Sequence, residues 1–263
     1  MSLVSIIMTC HNGEKYLDEA LNSIFLQTYK NWELIFINNF STDNSKDIIL
    51  SKKNNKIKYF ETKKILKLGE VRQVALNKCV GDYIAFLDVD DLWSKDKLER
   101  QVEKFLSNSQ VDIVYTDYKL FGKIQKINLK KNNFFSGKVR DKIIKSYING
   151  KPFTAWLTLM IKADLLKKYE KAFDENLHIT SDFDMIIRIS DGAYFDYIDD
   201  QLCFYRVHNT NESKNRYLEI SELFYILNKY KKNVEIKGIF KSKFFYNKIY
   251  IKYFLYKIRN IFY

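Results

Sequence analysis

Short apolar runs alternate with amphipathic helical spacings over the first 120 residues, and this alternation restricts the fold more than any other feature. Residues 3–9, Leu3-Val4-Ser5-Ile6-Ile7-Met8-Thr9, form an apolar run of strand length. Leu17, Ala20, Leu21, Ile24 and Phe25 then recur at the spacing of one helical face. The same reading predicts strands over 32–38, 56–61 and 111–118, and helices over 70–80 and 95–107. Another helix runs through Leu50, with Ser41 or Thr42 as its N-cap. Strands alternating with helices of this length indicate βαβ units, hence an α/β fold with a mostly parallel, Rossmann-like central sheet.

One predicted strand ends on carboxylates. In Ile84-Ala85-Phe86-Leu87-Asp88-Val89-Asp90-Asp91-Leu92, four apolar residues lead into three acids within four positions. Such a run suits a central strand covered on both faces. Ligands of open α/β sheets bind outside the carboxyl ends of the strands. Crowded carboxylates repel one another unless they are solvated, protonated or bridged by a cation. An oxygen-only set of this kind suits Mg²⁺ or Mn²⁺, with phosphate oxygens completing the shell. The alternative is an Asp-rich turn that caps the next helix. The loops after the first, second and acidic strands gather on one sheet edge, which brings Thr9, His11, Asn39, Ser41, Asp88 and Asp90 around one crevice.

Beyond residue 120 the rhythm breaks. Residues 123–151 are basic and Asn-rich, with a helix over 139–148. A strand over 154–160, a helix over 161–169, a short helix over 181–189 and strands over 193–198 and 201–207 follow. These complete the domain as the other wall of the crevice. The expected organisation is a domain over 1–210, with a first half to 120 and a second half from 121, and a helical extension over 211–263.

With 46% hydrophobic and 16% aromatic residues the chain can bury a sizeable core, and one proline and eight glycines exclude low-complexity classes. Cys10, Cys79 and Cys203 have neither zinc nor disulfide spacing and fit a reducing cytosol. No basic leader precedes the first strand, and no run of about 18 uncharged apolar residues suggests a spanning helix. The expected location is therefore the cytoplasm. Of the net charge of +12, residues 229–263 hold +9, so the body is near neutral and a general nucleic-acid surface is not expected. Lys237, Lys241, Lys248, Lys252 and Arg259 fall on one helical stripe, among ten aromatic residues between 240 and 263. That pattern suits the interface of an anionic membrane, as a peripheral contact on its inner face, or a homodimer seam.

Several motifs in a fixed order resemble the family-2 glycosyltransferases, nucleotide-sugar enzymes with the GT-A fold. They are Val4-Ser5-Ile6-Ile7-Met8-Thr9-Cys10-His11-Asn12, Ser23-Ile24-Phe25-Leu26-Gln27-Thr28-Tyr29 and Asn38-Asn39-Phe40-Ser41-Thr42-Asp43. Then come Gly81-Asp82-Tyr83-Ile84, Asp88-Val89-Asp90, Asp91-Leu92-Trp93, Ser181-Asp182 and Tyr205-Arg206-Val207-His208. The resemblance spans about four-fifths of the chain.

The resemblance implies metal-dependent, inverting transfer of one sugar from a nucleotide-diphosphate sugar, a UDP-sugar foremost. The acceptor would be a hydroxyl of a bacterial surface glycan, such as lipopolysaccharide or capsule, or of a lipid-linked precursor. A cation held by Asp90, with Asp88 near the ribose or the metal, would offset charge developing on the departing diphosphate. Thr9, His11 and Asn12 match positions beside the nucleoside. Asn39 stands where the family has an Asp bonding the base or ribose, and Arg72 matches a position facing the nucleotide. Asp182 matches the base of a Glu-Asp pair whose Glu is here Ser181. A helix N-terminus would keep that base ionised, and Asp184 competes with it on spacing alone. Arg206 and His208 are expected at the diphosphate or metal, whereas Asp91 is expected to cap the helix after Trp93. Absence of a Gln-x-x-Arg-Trp sequence favours one sugar per encounter over processive synthesis.

Two other functions fit parts of the pattern. A sugar nucleotidyltransferase would want a Gly-rich, basic loop after the first strand, and Cys10-His11-Asn12-Gly13 has one glycine. A basic membrane or nucleic-acid module would depend on the tail.

Overall fold

The computed structural model describes residues 1–123, 134–148, 155–209, 211 and 215–230. In chain order it contains β1 (Val4–Cys10), α1 (Glu14–Phe25), β2 (Trp32–Asn38), α2 (Ser45–Ser51), β3 (Ile57–Glu61), α3 (Leu68–Leu76) and β4 (Tyr83–Phe86). There follow β5 (Leu92–Trp93), α4 (Lys97–Ser107), β6 (Ile113–Gly122), α5 (Arg140–Ile148) and a single 3₁₀ turn (Trp156–Thr158). The last elements are β7 (Met160–Lys162), α6 (Ala163–Lys167), α7 (Ser181–Ile189), β8 (Phe195–Val207) and α8 (Arg216–Tyr230).

The eight strands form one sheet in the order β3-β2-β1-β4-β7-β6-β8-β5. β3, β2, β1 and β4 are parallel, as are β6 and β8, while β7 runs antiparallel between β4 and β6. Side-chain alternation assigns each residue to a face. Ile6 lies in register with Leu34 and Ala85, and all three join one core. Ile7, beside Ile35 and Phe86, joins the core on the opposite face. Burial on both faces explains why β1, β2 and β4 read as continuous apolar runs.

Several local expectations are corrected. α2 starts at Ser45, not after Ser41 or Thr42, and no side chain caps it from the N-cap position. Asp43 serves there instead: its carboxylate accepts from the backbone N–H of Ser45 (3.0 Å) and of Glu14 (2.9 Å), the first residues of α2 and α1. Asp91 caps no helix. It is 1% exposed, and its Oδ1 accepts from the backbone N–H of Arg206 at 2.8 Å, which ties the acidic loop to β8. The strand expected over 154–160 is a 3₁₀ turn followed by the three-residue β7, since an apolar run alone does not distinguish buried turn from buried strand. The helix expected over 161–169 is only α6, and that over 70–80 starts and stops earlier, as α3. The two strands expected between 193 and 207 are one strand, whose register against β6 shifts at Asp117.

α8 packs on the domain: Ile226 is buried in a small cluster with Phe183, Ile187, Ile144 and Leu177. Among the described residues no helix is long and apolar enough to cross a membrane. The basic stripe from Lys237 to Arg259 lies outside the described residues.

Candidate active site

A crevice of about 770 Å³ opens at the carboxyl ends of β1, β2 and β4. It is lined by Thr9, His11, Asn12, Asn39, Arg72, Asp88 and Asp90 from the first half, and by Asp182 and His208 from the second. Ser41 and Arg206 do not line it.

The loops after β1 and β2 are held by side chains at strained backbone positions. Asn12 and Phe40 have φ of 53° and 57°, in the left-handed region that non-glycine residues seldom enter. Ser41 fixes the first of these, because its Oγ accepts from the Asn12 N–H at 3.0 Å. Asn12 Oδ1 in turn accepts from the Thr42 N–H at 2.8 Å. Gly13 permits the close approach of this loop to the acidic segment: a Cβ there would meet Cys10 Sγ at 2.9 Å and Val89 at 3.0 Å. His11 Nδ1 donates to the Asn39 carbonyl at 2.9 Å, which leaves Nε2 as the acceptor of the neutral ring. The Asn39 amide pairs with the backbone of Leu66, donating to its carbonyl and accepting its N–H, both at 2.9 Å. Asn39 Oδ1 also accepts from Thr62 Oγ1 at 3.2 Å. An Asp could not make the donor half of that pair.

Asp88 and Asp90 face the crevice with side chains 35% and 24% exposed. Asp88 lies 3.6 Å from the Arg72 guanidinium. Arg72 is buried, stacks 4.2 Å over Trp156 and donates to Ser181 Oγ at 2.9 Å, so it is no solvated helix surface. Asp90 Oδ2 accepts from His208 Nε2 at 2.8 Å, and Asn211 Nδ2 is 3.4 Å away. Arg206 works from behind. Its Nε donates to the Asp90 carbonyl at 2.8 Å, its Nη2 to Glu19 at 3.0 Å, and its guanidinium lies between the rings of Tyr16 and Phe121. Burial, reinforced by the charges of Asp90 and Asp88, pushes the Asp91 carboxyl well above the usual range.

Among the described residues no three His, Cys, Asp or Glu side chains converge as a ready-made metal cluster. The donor set still fits a hard divalent cation. Two carboxylates and an imidazole border the crevice, and Mg²⁺ or Mn²⁺ commonly takes one or two carboxylates plus phosphate and water oxygens.

Asp182 stands in the first turn of α7 and lines the same crevice. Its Oδ1 accepts from the Phe183 N–H at 2.8 Å. Burial pushes its carboxyl up from the ordinary value, against the lowering effects of Arg72 and of the Phe183 N–H. Asp184 is fully buried beneath, paired with Arg188 and with Lys229 Nζ at 3.0 Å and accepting from Tyr230 at 3.0 Å. The two aspartates, equivalent on spacing, are thereby separated: only Asp182 reaches the crevice. Sequence reasoning missed Tyr16, Trp156, His178, Thr180 and Asn211 in the lining. Only Asn211 had a signal, its nearness to His208.

The family model for Glycosyl transferase family 2 matches residues 5–170. An uncharacterized glycosyltransferase of Rickettsia felis is 33% identical over 81% of this chain, which spans 35% of that protein's length. The E. coli UDP-Glc:alpha-D-GlcNAc-diphosphoundecaprenol beta-1,3-glucosyltransferase WfgD is 36% identical over 45% of this chain and 46% of its own. S. aureus TarS 1-349 in complex with UDP-GlcNAc superposes with a TM-score of 0.68 at 19% identity, over 96% of this chain and 79% of that one. The Pyrobaculum calidifontis mannosyltransferase PcManGT, in complex with GDP-Man and Mn²⁺, gives 0.66 at 16% identity over 96% and 69%. With this match and this architecture, the chain belongs to glycosyl transferase family 2 and has the GT-A fold.

Proposed function

We propose that the chain transfers one sugar, with inversion, from a nucleotide-diphosphate sugar to a hydroxyl of a glycan or lipid-linked acceptor, with a UDP-sugar as the favoured donor. The observation that carries this reading is the convergence, in the lining of one crevice, of the Asp88/Asp90 pair and Asp182 in the first turn of α7. Thr9, His11, Asn12 and Asn39 border the nucleoside end, and Arg72 sets a cation beside the donor phosphates. A divalent cation held by Asp90 and Asp88, with His208 beside them, would supply Lewis-acid stabilisation of the leaving diphosphate. Asp182 accepts the proton of the acceptor hydroxyl as its oxygen bonds to the anomeric carbon. The bond from that carbon to the diphosphate oxygen breaks, and its electron pair leaves with the nucleotide. Burial raises the proton affinity of this carboxylate above that of a free aspartate, which suits a general base.

UDP complexes of TarS, the GDP-Man and Mn²⁺ complex of PcManGT and the lipid-diphosphate acceptor in the name of WfgD support the donor and acceptor classes. The test is thermal shift and donor hydrolysis with UDP-glucose, UDP-GlcNAc and GDP-mannose, with and without Mn²⁺. A native-state ligand at 100 times its Kd stabilises by about 2.7 kcal/mol. Asp182→Asn is expected to keep that shift and lose about 10²–10⁴-fold in turnover. No shift with any donor, or full turnover in the variant, overturns the reading.

A further inference from the structure

We infer that Glu222 of α8 is a positioning residue for Asp182, gripping the loop that delivers this base to the crevice; the inference rests on the reaction proposed above. Glu222 is 7% exposed, and a carboxylate so enclosed needs donors around it. It finds three in one short segment: the His178 N–H at 2.6 Å, the Thr180 N–H at 2.9 Å and the Thr180 hydroxyl at 3.0 Å. Thr180 is the N-cap residue of α7 but makes no side-chain cap there, because its hydroxyl points to Glu222 instead.

The other side of the segment is fixed by α3. The Leu68 N–H donates to His178 Nδ1 at 3.0 Å, and the Gly69 N–H to the Leu177 carbonyl at 2.9 Å. Gly69 is required here, since a Cβ would lie 2.1 Å from the Asp174 carbonyl oxygen. His178, Ile179 and Thr180 thus pass between two clamps and line the crevice, and Asp182 follows two residues later. Glu219 and Leu223, which flank Glu222 on α8, also line the crevice. α8 therefore both shapes this side of the crevice and sets where the base stands.

A residue that merely held the fold would leave the base's proton affinity alone. Among the described residues, the charged groups that act on Asp182 include Arg72 of α3 and Glu222 of α8, and Asp88, His178 and Glu219 line the same crevice. Glu222 adds to the upward push of burial on Asp182, against Arg72.

The test uses the full chain and whichever of UDP-glucose, UDP-GlcNAc or GDP-mannose the wild type hydrolyses with Mn²⁺. Glu222→Gln keeps the shape and removes the charge and one acceptor. It is expected to lower kcat about tenfold or more with donor KM nearly unchanged, because small misplacements of a reacting group are costly. The acid limb of its kcat–pH profile should move to lower pH, since a neighbouring negative charge has gone. Thr180→Val, which keeps the charge, should lower kcat without moving that limb. Wild-type kcat and an unmoved limb in Glu222→Gln, or a loss confined to KM, overturn the inference; should Glu222→Gln not fold, wild-type kcat in Thr180→Val does so. Hydrogen exchange separates this from the reaction itself: amides of residues 178–184 should exchange faster in Glu222→Gln, and unchanged protection refutes the clamp whether or not any donor is turned over.

Discussion

Lys97 is fully enclosed at the start of α4, with its Nζ 4.0 Å over the Trp93 ring and donating to Gln101 Oε1 at 2.7 Å. Burial pushes its ammonium down to about 8, from an ordinary 10.5. At neutral pH the fold therefore holds a desolvated charge, which an apolar side chain of similar length would not carry. Lys97→Met is expected to raise stability at pH 7 by about 1 kcal/mol, a magnitude within the range for replacing buried charge. The sign with pH follows from the shift. A depressed lysine is unfavourable below its folded value, and the penalty fades as pH rises from about 8 toward 10.5, so the advantage of the variant should shrink over that interval. Thermal melts at pH 7 and 10 decide it, and a gain independent of pH would count against the buried charge as its source. Lys97 gave no sign in the sequence, where it is one cation in a helix of mixed polarity. His11, Asp88 and Asp90 were legible because each directly follows a recognisable strand. The partners of Asn39 and Arg72 were not: Leu66 lies 27 residues from Asn39, and Ser181 lies 109 from Arg72.

Elements differ in how far their own residues specify them. α7 was predicted with its observed bounds, because an acidic first turn and an apolar face coincide at one start. β7 was not, because three residues between longer antiparallel neighbours carry no periodicity. α8 depends on distant partners more than on its own pattern, and Asp174 is the clearest of these. Its Oδ2 accepts from Lys229 Nζ at 2.6 Å and from the Tyr225 hydroxyl at 3.1 Å, and the Asn176 N–H donates to Oδ1 at 2.9 Å. These contacts outweigh desolvation and hold the carboxyl down at about 2. A depressed Asp contributes stability that is present above its unfolded value, near 3.8, and is lost as pH falls toward 2. Asp174→Asn is therefore expected to destabilise by about 1–3 kcal/mol at pH 7, the range for hydrogen bonds to charged groups. Melts from pH 7 downward should converge with the wild type by about pH 2, and a gap constant across that range would sink the assignment.

At the scale of the whole molecule, charge and crevice are separated along the chain. Every described residue that lines the crevice lies at or before Leu223, whereas residues 229–263 hold +9 of the net +12. A lipid-linked acceptor would bring the enzyme to an anionic surface, where each nearby Lys or Arg contributes about 1 kcal/mol and salt screens the attraction. Removing residues 237–263 takes away seven cations and no acidic side chain. That truncation keeps α8, with Glu222 on the loop before Asp182 and Lys229 on Asp174. It should retain the thermal shift with nucleotide sugar and lose sedimentation with anionic phospholipid vesicles, while neutral vesicles bind neither form. Binding by the full chain should weaken steeply between 50 and 200 mM salt, roughly the range over which the Debye length shortens from about 14 to 7 Å. Vesicle binding that survives the truncation would move the contact onto the folded body. A nucleotide shift lost with residues 237–263 would instead mean that donor binding depends on that segment.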